Sequence, residues 1–101
     1  LADAGAVIAL ATNCNPGTSY TTSMPLVVAL AVLQCGLSAE EAVHAATAGG
    51  ARALRRADVG VLRVGARADL QVIDAPSIDH IAYRLGGTGV HAVWRAGDRV
   101  V

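Results

Sequence analysis

Apolar residues fill positions 6–11 without interruption, and a polar, turn-forming segment follows at positions 12–19. A short apolar run that ends in turn residues is typical of a buried strand, most often one in a parallel sheet. Pro16 and Gly17 favour a tight turn there, because proline presets φ and glycine supplies positive φ. A helical pattern begins a few residues later. The order of buried strand, polar loop and helix predicts an α/β fold, in which ligands bind at the loops that leave the carboxyl ends of strands.

The first predicted helix covers residues 24–35 and has clear signals at both ends. Ser23 is a good N-cap residue, and Gly36 ends the helix in the way that glycine commonly does. The interior is apolar on nearly every side, so this helix needs covering from most directions. That is a large demand on a chain of 101 residues.

A second helix begins with a capping box, in which Ser38 is the cap and Glu41 is the third helical residue. The pair Gly49-Gly50 weakens the helical pattern by about 1 kcal/mol per glycine. We therefore predict a break at this pair, followed by a short third helix over residues 51–56.

The pattern then changes from helical to β. Residues 60–65 predict a short strand and turn, and residues 68–74 alternate in the manner of a strand. Residues 78–89 are ambiguous, with a glycine-rich loop at their end. Residues 91–101 predict a hairpin whose turn lies at residues 96–98.

The chain divides into a βα unit with further helices, residues 1–57, and a small β module, residues 58–101. A single strand cannot pair its own edges, and an isolated hairpin is only marginally stable. The chain begins with Leu1, and its only methionine is the internal Met24. We therefore expect a fragment of a larger α/β protein. It should not be a stable monomer, and should associate with the rest of its parent polypeptide or with itself.

Composition and charge narrow the class of protein. The chain is 53% apolar and 16% charged, as globular domains are, and its formal net charge is zero. A balanced charge argues against a nucleic-acid partner. The cysteines, Cys14 and Cys35, have no metal-binding spacing, so free thiols in a reducing cytoplasm are expected. The longest strongly apolar stretch, residues 25–33, is too short to span a membrane.

Common catalytic motifs are absent from the sequence, including GxSxG, a phosphate-binding loop, HxH and HExxH. The three histidines, His44, His80 and His91, are scattered, which favours structural or exposed roles. The loop at residues 12–19 is therefore the candidate site. The alternative is an ordinary βα loop whose asparagine, proline and glycine only make the turn.

Several motifs together resemble a known family. The pattern GxLxxGxxADLxVxD at residues 60–74 resembles the C-terminal β signature of the amidohydrolase superfamily, and VxxxGxxV at residues 93–100 fits the hairpin after it. The segment ATNCNPGTS at residues 11–19, followed by SMPL at residues 23–26, resembles the imidazolonepropionase family. Residues 79–86, DHIAYRLG, look like a further stretch of that family. The resemblance covers essentially the whole chain, and about the last quarter of a family member.

The resemblance implies an α/β fold: the C-terminal portion of a metal-dependent (β/α)8 TIM barrel plus part of the accompanying small β-sandwich domain. It implies hydrolysis of 4-imidazolone-5-propanoate, the small-molecule substrate, to N-formimino-L-glutamate in histidine degradation. A divalent metal, zinc or iron, would activate the attacking water. In the family its histidine ligands come from earlier strands, which lie outside this chain.

The resemblance also assigns roles to individual residues. Asn13 falls where the family has an aspartate that binds the metal and handles the proton of the attacking water. Asn15 matches a substrate-binding asparagine, and Gly17 and Thr18 match positions that hold the substrate. An amide cannot accept a proton at working pH and is a weak oxygen ligand, so this chain alone is predicted to be inactive. Gly49 is a second departure, at a position where the family tends to have asparagine, and should loosen the helix junction.

Two other interpretations stay open. The chain could belong to another amidohydrolase, a hydrolase or a deaminase, although the NPGT segment disfavours this. It could also be a catalytically dead fragment that acts as an assembly module, which Asn13 favours. Asp69 and Asp74 are carboxylates within the β signature, and we predict that they bond loop backbone and take no part in catalysis.

Overall fold

The computed structural model describes residues 1–87 and 89–101. Its helices are α1 (Met24–Cys35), α2 (Ala39–His44), α3 (Gly50–Ala53) and α4 (Asp79–Tyr83), and a π-helical turn, Ala45–Gly49, joins α2 to α3. The strands are β1 (Leu70–Ile73), β2 (Val90–Arg95) and β3 (Asp98–Arg99), which form an antiparallel sheet in the order β1-β2-β3. This mixture of helix and sheet confirms the coarse fold class, whereas the barrel and the sandwich stay predictions. No helix in the described ranges is long and apolar enough to cross a membrane.

Helix α1 begins and ends where the sequence predicts. The hydroxyl of Ser23 accepts a hydrogen bond from the Leu26 N–H at 3.3 Å, and Gly36 ends the helix with φ 73°. The apolar faces are only partly covered, because Leu30 is 43% and Leu33 is 55% exposed. The helix therefore lacks the covering that its sequence demands.

The predicted break at Gly49-Gly50 is wrong, because the helical run continues from α2 through the π-helical turn into α3. Both glycines adopt right-handed helical angles, with φ −62° at Gly49 and −61° at Gly50. Gly49 is buried, so packing outweighs its poor helix propensity. The third helix is consequently Gly50–Ala53, where the sequence predicted residues 51–56. The capping box is confirmed, since Ser38 and Glu41 bond reciprocally at 2.8 and 3.1 Å.

The strand predicted at residues 6–11 does not form. This segment joins no sheet with other parts of the described chain, and the N–H of Leu10 donates to the carbonyl of Ala45 at 3.1 Å. A strand exists only where a neighbour pairs its backbone groups, and the described sheet is antiparallel and lies elsewhere. The short strand predicted at residues 60–65 is also wrong, because turns with positive φ at Gly60 and Gly65 occupy it.

The C-terminal sheet follows the sequence prediction closely. The strand predicted at residues 68–74 is shortened to β1, and the hairpin predicted at residues 91–101 is β2 and β3. The two residues of its turn have positive φ, 52° at Ala96 and 89° at Gly97. The ambiguous stretch, residues 78–89, contains α4 and then a loop, of which position 88 lies outside the described residues.

The core lies between α1, α2 and α4, and it is made of small side chains. Its buried centre consists of Val28, Ala31 and Ala42. Partly buried apolar residues pack around this centre, namely Leu10, Val32, Leu37, Val43, Ala46 and Ile81. Leu10, which precedes the candidate loop, packs against the helices, and four residues separate the end of the loop from the start of α1. The loop is therefore held at both ends by the helical core.

Candidate active site

The loop at residues 12–19, called the candidate loop from here on, closes on itself through its two ends. The N–H of Asn15 donates to the carbonyl of Ser19 at 2.9 Å. The hydroxyl of Ser19 donates to the carbonyl of Thr12 at 2.7 Å. The sequence analysis missed Ser19, although a hydroxyl side chain at the end of a turn often bonds nearby backbone.

The side chain of Asn15 organises the loop. Its Oδ1 accepts from the N–H groups of Gly17 at 2.9 Å and Thr18 at 2.8 Å, which is the bonding of an Asx turn. Its Nδ2 donates to the carbonyl of Asn13 at 2.7 Å and to the Thr18 hydroxyl at 3.0 Å. The structure thus brings the four candidate residues together. The amide of Asn15 uses its donors and acceptors inside the loop, so binding a substrate through it would require an exchange of partners.

Gly17 suits the inside of this turn because space there is limited. A Cβ atom at Gly17 would lie 3.3 Å from Oδ1 of Asn15, which is closer than most Cβ contacts. A larger residue would press on the oxygen that accepts both backbone N–H groups. The absence of a side chain at Gly17 therefore lets Oδ1 of Asn15 keep its place in the turn.

Asn13 combines a left-handed backbone conformation with an exposed side chain. Its φ is 48°, in the left-handed region that asparagine and aspartate tolerate better than most residues. The residue is exposed, and its carbonyl, not its amide, accepts the bond from Asn15. The amide can therefore face a bound molecule without first breaking the loop.

The residues of this chain do not fit a zinc or iron site by themselves. Within residues 1–87 and 89–101, no group of three or more histidine, cysteine, aspartate or glutamate side chains could hold a metal ion. Asn13 offers only a neutral amide oxygen, whereas these metals prefer imidazole, thiolate or carboxylate ligands. The candidate loop could therefore offer a metal at most the amide of Asn13 and the thiol of Cys14, which are too few ligands for a site.

Cys14 lies in the candidate loop, but the histidines and cysteines of the described residues form no metal-binding group with it. His44 and His91 are exposed, and His80 packs edge-on against Tyr83 with ring centroids 5.7 Å apart. The Nδ1 atom of His80 is buried and has no hydrogen-bond partner in the described structure. Cys14 and Cys35 are both free and exposed, which confirms that they form no disulfide with each other.

The two carboxylates of the β signature behave differently from each other. Asp69 accepts from the N–H of Ala96 at 2.8 Å and pairs with Arg67 at 2.9 Å, which confirms its predicted structural role. The Ala96 hydrogen bond, more than Arg67, holds the pKa of the Asp69 carboxyl below its usual range. For Asp74 the backbone makes the bond, since its N–H donates to the carbonyl of Gly89 at 2.7 Å.

Comparison with known proteins agrees with the motifs in the sequence. The model of the amidohydrolase family matches residues 1–100. The chain is 58% identical over 101 residues to an imidazolonepropionase from Streptomyces griseus, covering all of this chain and 26% of that protein. It is 60% identical over 98 residues to one from Rhodococcus jostii, covering 97% of this chain and 24% of the relative. For one from Micrococcus luteus the identity is 62% over 102 residues, covering 100% of this chain and 25% of the relative.

These matches confirm the resemblance that the motifs indicated, and they confirm that it covers essentially the whole chain. The chain spans about a quarter of the length of the curated relatives that it matches. The family model and the full-length identity agree with each other over the candidate loop and over the β module. The chain therefore belongs to the amidohydrolase family.

Proposed function

We propose that this chain is a segment of an imidazolonepropionase. The complete enzyme would hydrolyse 4-imidazolone-5-propanoate to N-formimino-L-glutamate in histidine degradation, in the cytoplasm. The observation that carries the proposal is an identity of about 60% to imidazolonepropionases across the whole chain. Within the enzyme, residues 1–57 would supply the last barrel strand, the candidate loop and the following helices. Residues 58–101 would form part of the small β-sandwich domain.

In this proposal the candidate loop binds and orients the substrate. The Asx turn made by Asn15 fixes the backbone at Gly17 and Thr18, whose N–H groups donate to its Oδ1, and it holds the Thr18 hydroxyl beside its Nδ2. A substrate would bind there by exchanging with these internal hydrogen bonds. Hydrolysis adds one water to the ring amide carbon and breaks its C–N bond, so a proton must leave the water and reach the nitrogen. Asn13 can hold a water by hydrogen bonds, but it cannot take that proton.

We propose that a divalent metal, zinc or iron, is held mainly by residues outside this segment. Within this segment, the candidate loop would offer that metal only the neutral amide of Asn13 and the thiol of Cys14. The other expected partner is the rest of the parent polypeptide. The present chain supplies substrate contacts and a frame for the site, and is expected to be inactive alone.

The test is product formation by the complete polypeptide compared with the 101-residue chain. Both are purified, supplied with zinc or ferrous iron, and incubated with imidazolonepropionate, and N-formimino-L-glutamate is measured by chromatography. We expect product from the complete polypeptide only. Absence of product from a folded, metal-loaded complete polypeptide would contradict the proposed function.

Asn13 favours a second candidate, an amidohydrolase-like chain that has lost catalysis and serves as an assembly module. A neutral amide at the position of a proton-accepting carboxylate is the change that would produce such a protein. The two candidates differ in what the complete polypeptide does when the carboxylate is restored. A folded Asn13→Asp variant of the complete polypeptide that still makes no product would favour the assembly module.

A further inference from the structure

The π-helical turn packs against the backbone that leads into the candidate loop, with no space for a side chain between them. Gly49 is buried, and a Cβ atom placed on it would overlap the carbonyl oxygen of Ile8. Beside this contact, the N–H of Leu10 donates to the carbonyl of Ala45 at 3.1 Å. We call this contact between residues 8–10 and Ala45–Gly49 the seam.

The π-helical turn has little freedom to move away from the seam. On another side of it, a Cβ atom at Gly60 would lie 2.7 Å from the carbonyl oxygen of Thr47 and 2.9 Å from Cβ of Ala51. Two glycines thus allow close backbone contacts to the same short stretch of helix. A side chain added at Gly49 would have to be accommodated mainly by a shift of residues 8–10.

A shift of residues 8–10 would reach the candidate loop by a short path. Thr12 follows Leu10 by two residues, and its carbonyl accepts the Ser19 hydroxyl at 2.7 Å. The next residue is Asn13, whose carbonyl accepts from Nδ2 of Asn15 at 2.7 Å. Each link in this path is a covalent bond or a short hydrogen bond, so the loop would turn with the segment.

We propose that Gly49 is a positioning residue, which sets the orientation of the candidate loop through the seam. In this chain, glycine at position 49 lets the backbone of residues 8–10 lie against the π-helical turn, whereas the asparagine that the family tends to have there would need a wider seam. The catalytic part of this role rests on the proposed function, because loop orientation affects turnover only if the loop lies in the active site. The structural part does not, and it can be measured separately.

The test compares Gly49→Ala with Gly50→Ala in the complete polypeptide. Gly50 is the matched control, because a Cβ atom there would meet nothing closer than the carbonyl oxygen of Ala45 at 4.0 Å. Alkylation of Cys14, within the loop, is followed by peptide mass spectrometry, and Cys35 on α1 is the internal reference. The ratio of the two labelling rates reports the loop, since thiol reactivity depends on exposure and local charge.

For Gly49→Ala we expect the labelling ratio to change by about threefold or more, as the surroundings of the Cys14 thiol change. We expect kcat/KM to fall by about 10- to 100-fold, the scale of a catalytic group displaced by about 1 Å. The fall should appear in kcat as well as in KM, whereas loss of a single substrate contact raises KM alone. Gly50→Ala should leave the labelling ratio and the kinetics within about twofold of the parent.

A folded Gly49→Ala variant with the parental labelling ratio would overturn the proposal. If that variant does not fold, Ser19→Ala decides, because it cuts the bond between Ser19 and Thr12 through which the seam acts. A parental labelling ratio in Ser19→Ala would overturn the proposal in that case. If the parent makes no product, the proposed function fails, and the labelling ratio alone decides whether Gly49 positions the loop.

Discussion

Asn13 combines an exposed amide with a backbone φ of 48°, a value that few residue types adopt without strain. Aspartate tolerates the same conformation, so Asn13→Asp should restore a carboxylate without moving the loop. In the complete enzyme we expect kcat to rise at least about 100-fold, the usual scale of general base catalysis. Steady-state kinetics of the parent and the variant provide the measurement.

Asn13→Gly is the control for this change, because glycine accepts the positive φ but carries no functional group. The kcat of Asn13→Gly should not rise as that of Asn13→Asp does. An Asn13→Asp variant with parental kcat would mean that position 13 does not carry the family's carboxylate role.

Asn15 gives a second prediction, in which two substitutions separate its donors from its acceptor. Asn15→Ala in the complete enzyme should lower kcat/KM. The ratio of the kcat/KM values should correspond to a loss of about 1–3 kcal/mol of transition-state stabilisation, the scale of a polar partner left unpaired. Asn15→Asp keeps an oxygen for the N–H groups of Gly17 and Thr18, but loses both Nδ2 donors. Its kcat/KM should lie between those of the parent and the alanine variant.

The melting temperature of the same two variants shows whether Asn15 only builds the turn. In that case Asn15→Ala would melt at a lower temperature and retain parental kinetics. Such a result would remove Asn15 from the substrate site and leave it as the organiser of the loop.

At the scale of elements, Asp69 connects the start of the sheet to the hairpin turn, and this connection should depend on pH. The folded pKa of the Asp69 carboxyl lies below its ordinary value of 3.8, so its stabilising effect is present above that value and is lost as the pH falls through the folded pKa. We expect the melting temperature of the parent to fall as the pH drops below about 4. The melting temperature of Asp69→Asn should fall less over the same pH range, because its neutral amide oxygen can still accept the hydrogen bond from the Ala96 N–H.

Thermal unfolding of the complete protein at several pH values measures this difference. Asp58→Asn is a useful comparison, because the hydrogen bond from Arg56 also lowers the pKa of Asp58, but at the end of the helical half. Identical pH profiles for the parent and Asp69→Asn would show that the Asp69 carboxylate does not support the hairpin.

The elements that sequence predicted well are those whose signals are local. Ser23 and Gly36 fix the ends of α1, and the capping box of Ser38 and Glu41 starts α2. The elements that sequence missed depend on distant neighbours. Residues 6–11 form no strand because no partner pairs with them in the described chain, and Gly49 stays helical because its packing compensates for its propensity.

The candidate site divides in the same way. The turn residues Pro16 and Gly17 locate the loop from sequence. The expectation that Gly17 supplies positive φ is wrong, because the residue of the loop with positive φ is Asn13, at 48°. The internal bonding of Asn15 and the contact between Gly49 and Ile8 could not be predicted, since both require knowledge of which backbone groups meet in space.

The molecule as a whole exposes more surface than a folded monomer of its size. Its accessible area is 7083 Å², whereas a compact protein of 10.2 kDa is expected to expose about 5,300 Å². Large apolar side chains contribute to this excess, among them Leu54, Leu62, Val64 and Tyr83. Surface of this kind usually marks an interaction site, so the chain alone should not be a stable monomer.

Sedimentation equilibrium of the isolated chain at micromolar concentration tests this expectation. We expect species heavier than 10.2 kDa, or aggregation, with no sharp thermal transition. A single 10.2 kDa species that unfolds cooperatively would show instead that the chain is an independent small domain.

The core made of small side chains has a consequence for how this region can change during evolution. Apart from Val28, the buried apolar residues in the described chain are alanines. Truncation can remove little from such a core, so the large cavities that usually make core mutations harmful cannot arise here. Enlargement is the harmful direction, because extra methylene groups in a well-packed site cost about 1–3 kcal/mol. At Ala42, which is 0% exposed, a substitution should therefore be tolerated less the larger the new side chain is. Variation among homologues at this position should be confined to glycine, alanine and serine.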